Sequence, residues 1–264
     1  MPERLGQNFL NDPEVLERII EASKPAEAGF VIEIGPGKGV LTEKLAHKAK
    51  KVIAIELDDR LIPMLEEKFK DAQNVEIIHE DVLKINLPEM ISSHGLENAR
   101  YKLIANIPYY ITSPIIRLFL EQEGQPQEMI LMVQKEVAER IAARAGQMSI
   151  LSVSVQYYAR TEILFGISKN SFSPAPQVDS ALIRIVPEKK FEKETDKQFF
   201  RIVRAGFSAK RKTLINNLSN GLQLEKSVVA ENLEKAGLSS NVRAQELGIS
   251  DWQRLVEIFQ GLEK

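Results

Sequence analysis

Five short apolar runs, each followed by a polar or glycine-bearing break, set the rhythm of the first half of the chain. They predict strands over 30–34, 51–56, 75–78, 102–105 and 128–133. Helical spacing fills the gaps between them. Asp12-Pro13 reads as an N-cap followed by proline at the first helical position, and Val15, Leu16, Ile19 and Ile20 form one apolar stripe. Further helices are predicted from about Val40, from a cap near Ser113-Pro114, and over roughly 134–145. Strands alternating with helices imply βαβ units and a mostly parallel sheet. The pattern then changes. Residues 151–157 and 180–186 both alternate with period two and lack a long intervening helix, which predicts two antiparallel edge strands and a seven-stranded sheet in all. Between them, Phe172-Ser173-Pro174-Ala175-Pro176 reads as a stiff loop. Beyond Pro187-Glu188-Lys189-Lys190 the spacing is helical, in Phe199, Phe200, Ile202 and Val203 and again in Trp252, Leu255, Val256 and Phe259. A division into domains 1–187 and 188–264 follows.

Composition narrows the class. With 264 residues, 44% hydrophobic and 27% charged, the chain can bury a large core and a second small one. There is no cysteine, which excludes disulfides and thiolate chemistry. His47, His79 and His94 lack ligand spacing, so no metal site is expected. The most apolar stretch, 101–120, is broken by Lys102, Asn106, Pro108, Pro114 and Arg117, and no apolar signal core opens the chain. The expectation is a cytoplasmic protein without a membrane span. The net charge of −2 conceals an uneven distribution, since from Pro187 onward 14 Lys+Arg face 11 Asp+Glu. Arg201, Arg204, Lys210, Arg211 and Lys212 follow one another with no acid between them. Such a stripe suits either a phosphate backbone or a solvated helix face.

Candidate chemistry lies at the ends of the predicted parallel strands. Glu33-Ile34-Gly35-Pro36-Gly37-Lys38-Gly39 is a glycine-rich strand-to-helix turn, where small residues let a nucleotide-bearing cofactor approach the backbone. Glu56, ending the next strand, can accept hydrogen bonds from both ribose hydroxyls. The pair fits a dinucleotide or S-adenosylmethionine. Two features favour the latter. Asp81, just past the third strand, can accept from an adenine amino group. The fourth strand runs into Asn106-Ile107-Pro108-Tyr109, for which hydride transfer has no use. The Asn106 oxygen and the Pro108 carbonyl can accept the two N–H bonds of a planar exocyclic amine, drawing its lone pair out of the ring. Tyr109 can stack on that ring.

Gly6-Gln7-Asn8-Phe9-Leu10, the glycine turn, Glu56, Asp81, the Asn106 tetrapeptide, Gln134-Lys135-Glu136-Val137-Ala138 and Phe172-Ser173-Pro174-Ala175-Pro176-Gln177-Val178-Asp179-Ser180 occur in that order. Together they resemble the ribosomal RNA adenine N6-dimethyltransferase family, nearest its small-subunit (16S) branch, from Arg4 to about Phe259. The Phe207-Ser208-Ala209-Lys210-Arg211-Lys212 run also matches the family's C-terminal domain. One departure is Ser149-Ile150, where related sequences carry Tyr-Gly before Leu-Ser-Val.

The resemblance implies a class I, Rossmann-like methyltransferase domain over 1–187 and a helical RNA-binding domain over 188–264. It implies S-adenosylmethionine as cofactor, with Asn8 and Leu10 closing over its methionine end. Gly35 and Gly37 would line its turn, Glu56 hold its ribose and Asp81 its adenine, and Asn106 would touch the cofactor as well as the target. Asn106 and Pro108 would hold the target amine, and Tyr109 and Phe172 would sandwich the extruded base. Arg201, Arg204, Lys210, Arg211 and Lys212 would meet RNA. The implied partner is small-subunit rRNA in a pre-ribosomal 30S particle, met by a monomer. A large-subunit methyltransferase of the macrolide-resistance type, a non-catalytic assembly or transcription factor, and an NAD-dependent oxidoreductase are the competing readings.

Overall fold

The structure, a computed structural model, describes residues 8–96, 101–108, 111–189 and 192–260. The chain opens with β1 (Phe9–Leu10), α1 (Pro13–Ser23) and the short α2 (Pro25–Ala28). Then come β2 (Phe30–Ile34), α3 (Val40–Ala46), β3 (Lys51–Glu56), α4 (Ile62–Phe69), β4 (Val75–His79) and α5 (Leu87–Ser93). Next are β5 (Tyr101–Asn106), α6 (Thr112–Leu120), β6 (Glu128–Gln134), α7 (Lys135–Ile141) and α8 (Ile150–Gln156). β7 (Ala159–Ile167), β8 (Phe172–Ser173) and β9 (Ser180–Pro187) precede the helices α9 (Lys193–Gly206), α10 (Leu214–Leu222), α11 (Lys226–Lys235) and α12 (Ile249–Gln260).

Two units divide the chain. One takes the chain up to Ala138 together with Ala159–Glu188; the other takes Glu139–Tyr158 and the chain from Lys189 onward. The first is built on a seven-stranded sheet of order β4-β3-β2-β5-β6-β9-β7. Strands β4 to β6 run parallel, while β9 pairs antiparallel with both β6 and β7. Val31, Ile32, Val52, Ile53, Leu103, Ile104, Met129 and Ile130 are at most 1% exposed, as two-sided cover of a parallel sheet requires. The predicted α1 starts as read, with the Asp12 carboxylate accepting from the backbone N–H groups of Glu14 and Val15.

One expectation is corrected. Residues 151–157 are not a strand. Ser149 caps α8 through a reciprocal pair with Ser152, the Ser149 N–H donating to Ser152 Oγ at 2.6 Å and the Ser152 N–H to Ser149 Oγ at 3.2 Å. Gln156 then donates to the carbonyls of Ile141 and Ala143, tying the helix end back to α7. The edge strand is β7, eight residues further on. The chain passes between the two units at 138, 158 and 188.

In the helical unit, Trp252 is fully buried and stacks on Phe207 at 5.4 Å. Tyr157 stacks on Phe199 at 3.8 Å, and the buried Asp196 accepts from the Tyr157 and Tyr158 hydroxyls and from Lys189 Nζ. No described helix is long and apolar enough to cross a membrane.

Candidate active site

At β2 and β5 the sheet order reverses, because the chain leaves β2 toward β3 on one side and β5 toward β6 on the other. Open α/β sheets place ligands outside the carboxyl ends of such a pair. Here those ends are Ile34, running into the glycine turn, and Asn106. A cleft lies between them, where such sheets hold their ligands. Its walls include Asn8, Phe9, Leu10, Glu33, Gly35, Gly37, Glu56, Asn106 and Pro108. An adjoining pocket shares Gly35, Glu56 and Pro108 and adds Leu57, Asp81, Val82 and Ile111. The sequence-predicted residues Asn8, Leu10, Gly35, Gly37, Glu56, Asp81, Asn106 and Pro108 are thus gathered at one end of the sheet.

The turn is shaped by backbone that only glycine tolerates well. Gly35, Gly37 and Gly39 have φ of 65°, 58° and 70°. A Cβ at Gly39 would meet the Phe69 ring at 2.7 Å, and one at Gly37 would meet the Phe9 ring at 3.0 Å. Lys68 Nζ braces the turn from α4, donating to the Gly39 carbonyl at 3.1 Å. Glu56 is 4% exposed and held by three backbone donors, Gly37 at 3.1 Å and Leu57 and Asp58 at 2.9 Å each. Asp81 accepts from the Leu83 N–H at 3.0 Å and pairs with Lys84 at 3.6 Å.

Glu33 stands out. It is 2% exposed, it lines the cleft, and its Oε2 is buried with no hydrogen-bond partner. Burial pushes its pKa up to about 8; the nearby Thr42 hydroxyl, close without completing a hydrogen bond to it, holds the rise back, and the Glu56 carboxylate adds to it. The sequence reading placed Glu33 in the turn motif without giving it a role. The available signal was an acid inside an otherwise apolar strand, which a buried β-strand does not tolerate without a use.

Asn106 ends β5 half-buried, and its Nδ2 donates to the Asn8 carbonyl at 3.3 Å. The amide therefore presents nitrogen to the arm and keeps oxygen for another donor. The Pro108 carbonyl accepts from the Ile111 N–H at 3.1 Å, which uses one of its two lone pairs. Tyr109, like Gly6 and Gln7, lies outside the described residues. Phe172 is buried. It sits in β8 opposite Leu10, is 5% exposed, and belongs to the buried apolar cluster that includes Leu10, Leu16, Ile104 and Leu182. A base can reach its ring only once that ring is uncovered. Arg201, Arg204, Lys210, Arg211 and Lys212 all lie exposed in the helical unit. Among the described residues no cluster of His, Asp or Glu is arranged to hold a metal ion.

Comparison with known proteins adds to this geometry. The family described as ribosomal RNA adenine dimethylase matches residues 2–261. The chain is 42% identical over 259 residues to "Ribosomal RNA small subunit methyltransferase A" of Dehalococcoides mccartyi, covering 97% of this chain and 88% of that protein. It is 44% identical over 258 residues to the protein of the same name from Alkaliphilus metalliredigens, covering 96% and 90%. Among solved structures, a dimethyladenosine transferase from Plasmodium falciparum superposes with a TM-score of 0.81 at 28% identity, over 96% of this chain and 98% of that one. The 23S rRNA methyltransferase ErmE superposes with a TM-score of 0.75 at 27% identity, over 96% and 100%.

Proposed function

Because the chain belongs to the ribosomal RNA adenine dimethylase family, we propose that it methylates N6 of two adjacent adenosines near the 3′ end of small-subunit rRNA. Each receives two methyl groups from S-adenosylmethionine. The observation that carries this reading is the meeting of Asn106 and Pro108 with the glycine turn at one switch point. Identity above 40% to two small-subunit enzymes favours that substrate over large-subunit rRNA.

The residues present fit the cofactor. A cationic sulfur compound suits a cleft whose Glu33 oxygen is buried without a partner. Once bound, S-adenosylmethionine supplies a methyl group already activated by positive sulfur. The Glu56 carboxylate, fixed by three N–H donors, would accept from the ribose hydroxyls, and Asp81 in the adjoining pocket would accept from the cofactor's adenine. Asn8 and Leu10 would cover the methionine end.

Asn106 Oδ1 and the second lone pair of the Pro108 carbonyl would accept the two target N–H groups. That arrangement draws the lone pair out of conjugation and stabilises the positive charge that develops on N6. The proton becomes acidic once nitrogen is alkylated and leaves to solvent, so no strong base is needed. Tyr109 and Phe172 would hold the extruded base by stacking worth roughly 1–3 kcal/mol per base. The exposed Arg201, Arg204, Lys210, Arg211 and Lys212 would meet the phosphate backbone. The protein would act in the cytoplasm as a monomer on pre-ribosomal 30S particles.

The test is incubation with labelled S-adenosylmethionine and 30S particles lacking the modification, followed by mapping of the methylated bases. Label in two adjacent adenosines near the 3′ end supports the reading. Label confined to naked large-subunit rRNA, or none in adenine, overturns it.

A further inference from the structure

The two-residue pair β1–β8 does more than cover a pocket. Phe9 is opposite Ser173 and Leu10 opposite Phe172, so the strand that lines the cofactor cleft is laced to the loop that carries Phe172. One residue beyond each strand the lacing tightens. The Asn11 N–H donates to the Ser171 carbonyl at 2.9 Å, and Ser171 Oγ donates to Asp12 Oδ2 at 2.8 Å. Asp12 is itself anchored, because its other oxygen, Oδ1, caps α1 by accepting from the Glu14 and Val15 N–H groups. At the opposite end of β1, the Asn8 carbonyl takes the hydrogen bond from Asn106 Nδ2.

We propose that Ser171 is a positioning residue for the Asn106 amide. A primary amide can be inserted in two orientations that differ by a half-turn about its last bond. Only one places oxygen toward a target amine. The Asn8 carbonyl selects that one, since it accepts a hydrogen bond and repels a carbonyl oxygen. Its position is set by β1, a strand too short to be stable alone. What holds β1 is its pairing with β8 and the Ser171–Asp12 bond, which fixes both chains to the N-terminus of α1. Ser171 thus acts on the reaction through four residues of backbone, without touching substrate or cofactor. The same ribbon joins two binding events, because Leu10 lines the cofactor cleft and packs on Phe172.

The inference rests on the role proposed for Asn106, so its test has two independent readings. In the full-length protein, the side-chain amide signals of Asn106 are followed by nitrogen-15 NMR in wild type, Ser171→Ala and Ser171→Thr. Ser171→Ala should move or broaden them, and Ser171→Thr, which keeps the hydroxyl, should restore them. An unchanged Asn106 signal in Ser171→Ala overturns the proposal whatever the activity. In methylation assays Ser171→Ala should lower kcat about ten- to a hundredfold, the scale of a small misplacement of a reacting group. KM for S-adenosylmethionine should stay within about threefold. A loss of KM and kcat together, not restored by Ser171→Thr, would mark Ser171 as a merely structural residue and sink the idea. Inactive wild type would instead overturn the reading of function, leaving the amide spectrum to decide on Ser171.

Discussion

The two ends of β5 treat buried polar groups in opposite ways. At its start, Lys102 is 1% exposed and saturated by protein: Nζ donates to the carbonyls of Ser23 at 2.7 Å and Lys24 at 3.1 Å and pairs with Glu128 at 2.5 Å. Arg184 forms an ion pair with the same Glu128 at 3.2 Å, its Nε without a hydrogen bond, while its Nη2 donates to the Ala22 carbonyl at 2.9 Å. At its end, Asn106 keeps an oxygen for another donor, and on the adjacent β2 the buried Glu33 has an oxygen with no partner. An unpaired buried carboxylate is far more costly than a paired one. One end spends its polar groups on the fold, where α1 and α2 meet the sheet. The other leaves them unspent at a cleft, which is what a binding site for a cation and an amine requires.

Breaking the cleft end should give the largest effect. Asn106→Ala should lower the methylation rate about 10²- to 10³-fold, the magnitude seen when one donor or acceptor for developing charge is lost. Affinity for S-adenosylmethionine, measured by calorimetry, should change only a few-fold. Equal losses in both would refute the role. At the saturated end, Lys102→Met leaves Glu128 with Arg184 as its remaining partner. Urea unfolding should show a loss of about 3 kcal/mol, the lower part of the range for breaking a buried pair. Cofactor affinity of the protein that remains folded should be unchanged.

Glu33 sharpens the contrast through pH. Its folded pKa of about 8 lies above the ordinary 4.5, so the folded protein keeps a proton that the unfolded chain gives up between those values. Cofactor-free stability should therefore fall as pH rises from about 4.5 to 8. Glu33→Gln should remove that slope and stabilise the cofactor-free protein by roughly 1–3 kcal/mol near pH 8. A cationic ligand reverses the sign, since binding favours the charged carboxylate and expels the proton. Wild-type affinity for S-adenosylmethionine should tighten up to about pH 8 and then level off. Glu33→Gln should bind more weakly and without this dependence. Thermal melts and titrations across pH 6–9 read both effects, and equal pH slopes in the two proteins would remove Glu33 from the site.

Much of this contrast was legible in the residues. The five parallel strands follow from apolar runs bounded by turns, and strand ends in an open sheet fall together at the switch point, which gathered Glu56, Asp81 and Asn106. Residues 151–157 misled because Leu151-Ser152-Val153-Ser154-Val155 alternates like a strand. The decisive information was one hydroxyl pair, Ser149 with Ser152, which caps a helix. The β1–β8 pair was illegible for another reason. Two-residue strands carry no periodicity, and their partners lie more than 160 residues apart, so only the assembled fold brings Leu10 against Phe172 and buries its ring. The unpaired Glu33 oxygen is likewise a property of the assembled pocket, not of the motif that names it.

The smallest effect belongs to the exposed basic run of the other unit. Lys210, Arg211 and Lys212 are exposed and follow α9, whose own exposed face carries Arg201 and Arg204. An exposed cation contributes little to stability, so replacing one of them with Gln should leave the melting temperature within about a degree. If the run binds RNA, each phosphate contact releases counterions, and the dependence of log affinity on log salt should lose about 0.7–0.9 per charge removed. The rate at saturating RNA should stay the same, because no group at the cleft is touched. The measurement is binding of a small-subunit rRNA fragment at several salt concentrations for the three single variants. Slopes equal to wild type would make the run a solvated surface, and the contrast between spent and unspent polar groups would then be confined to the two ends of the sheet.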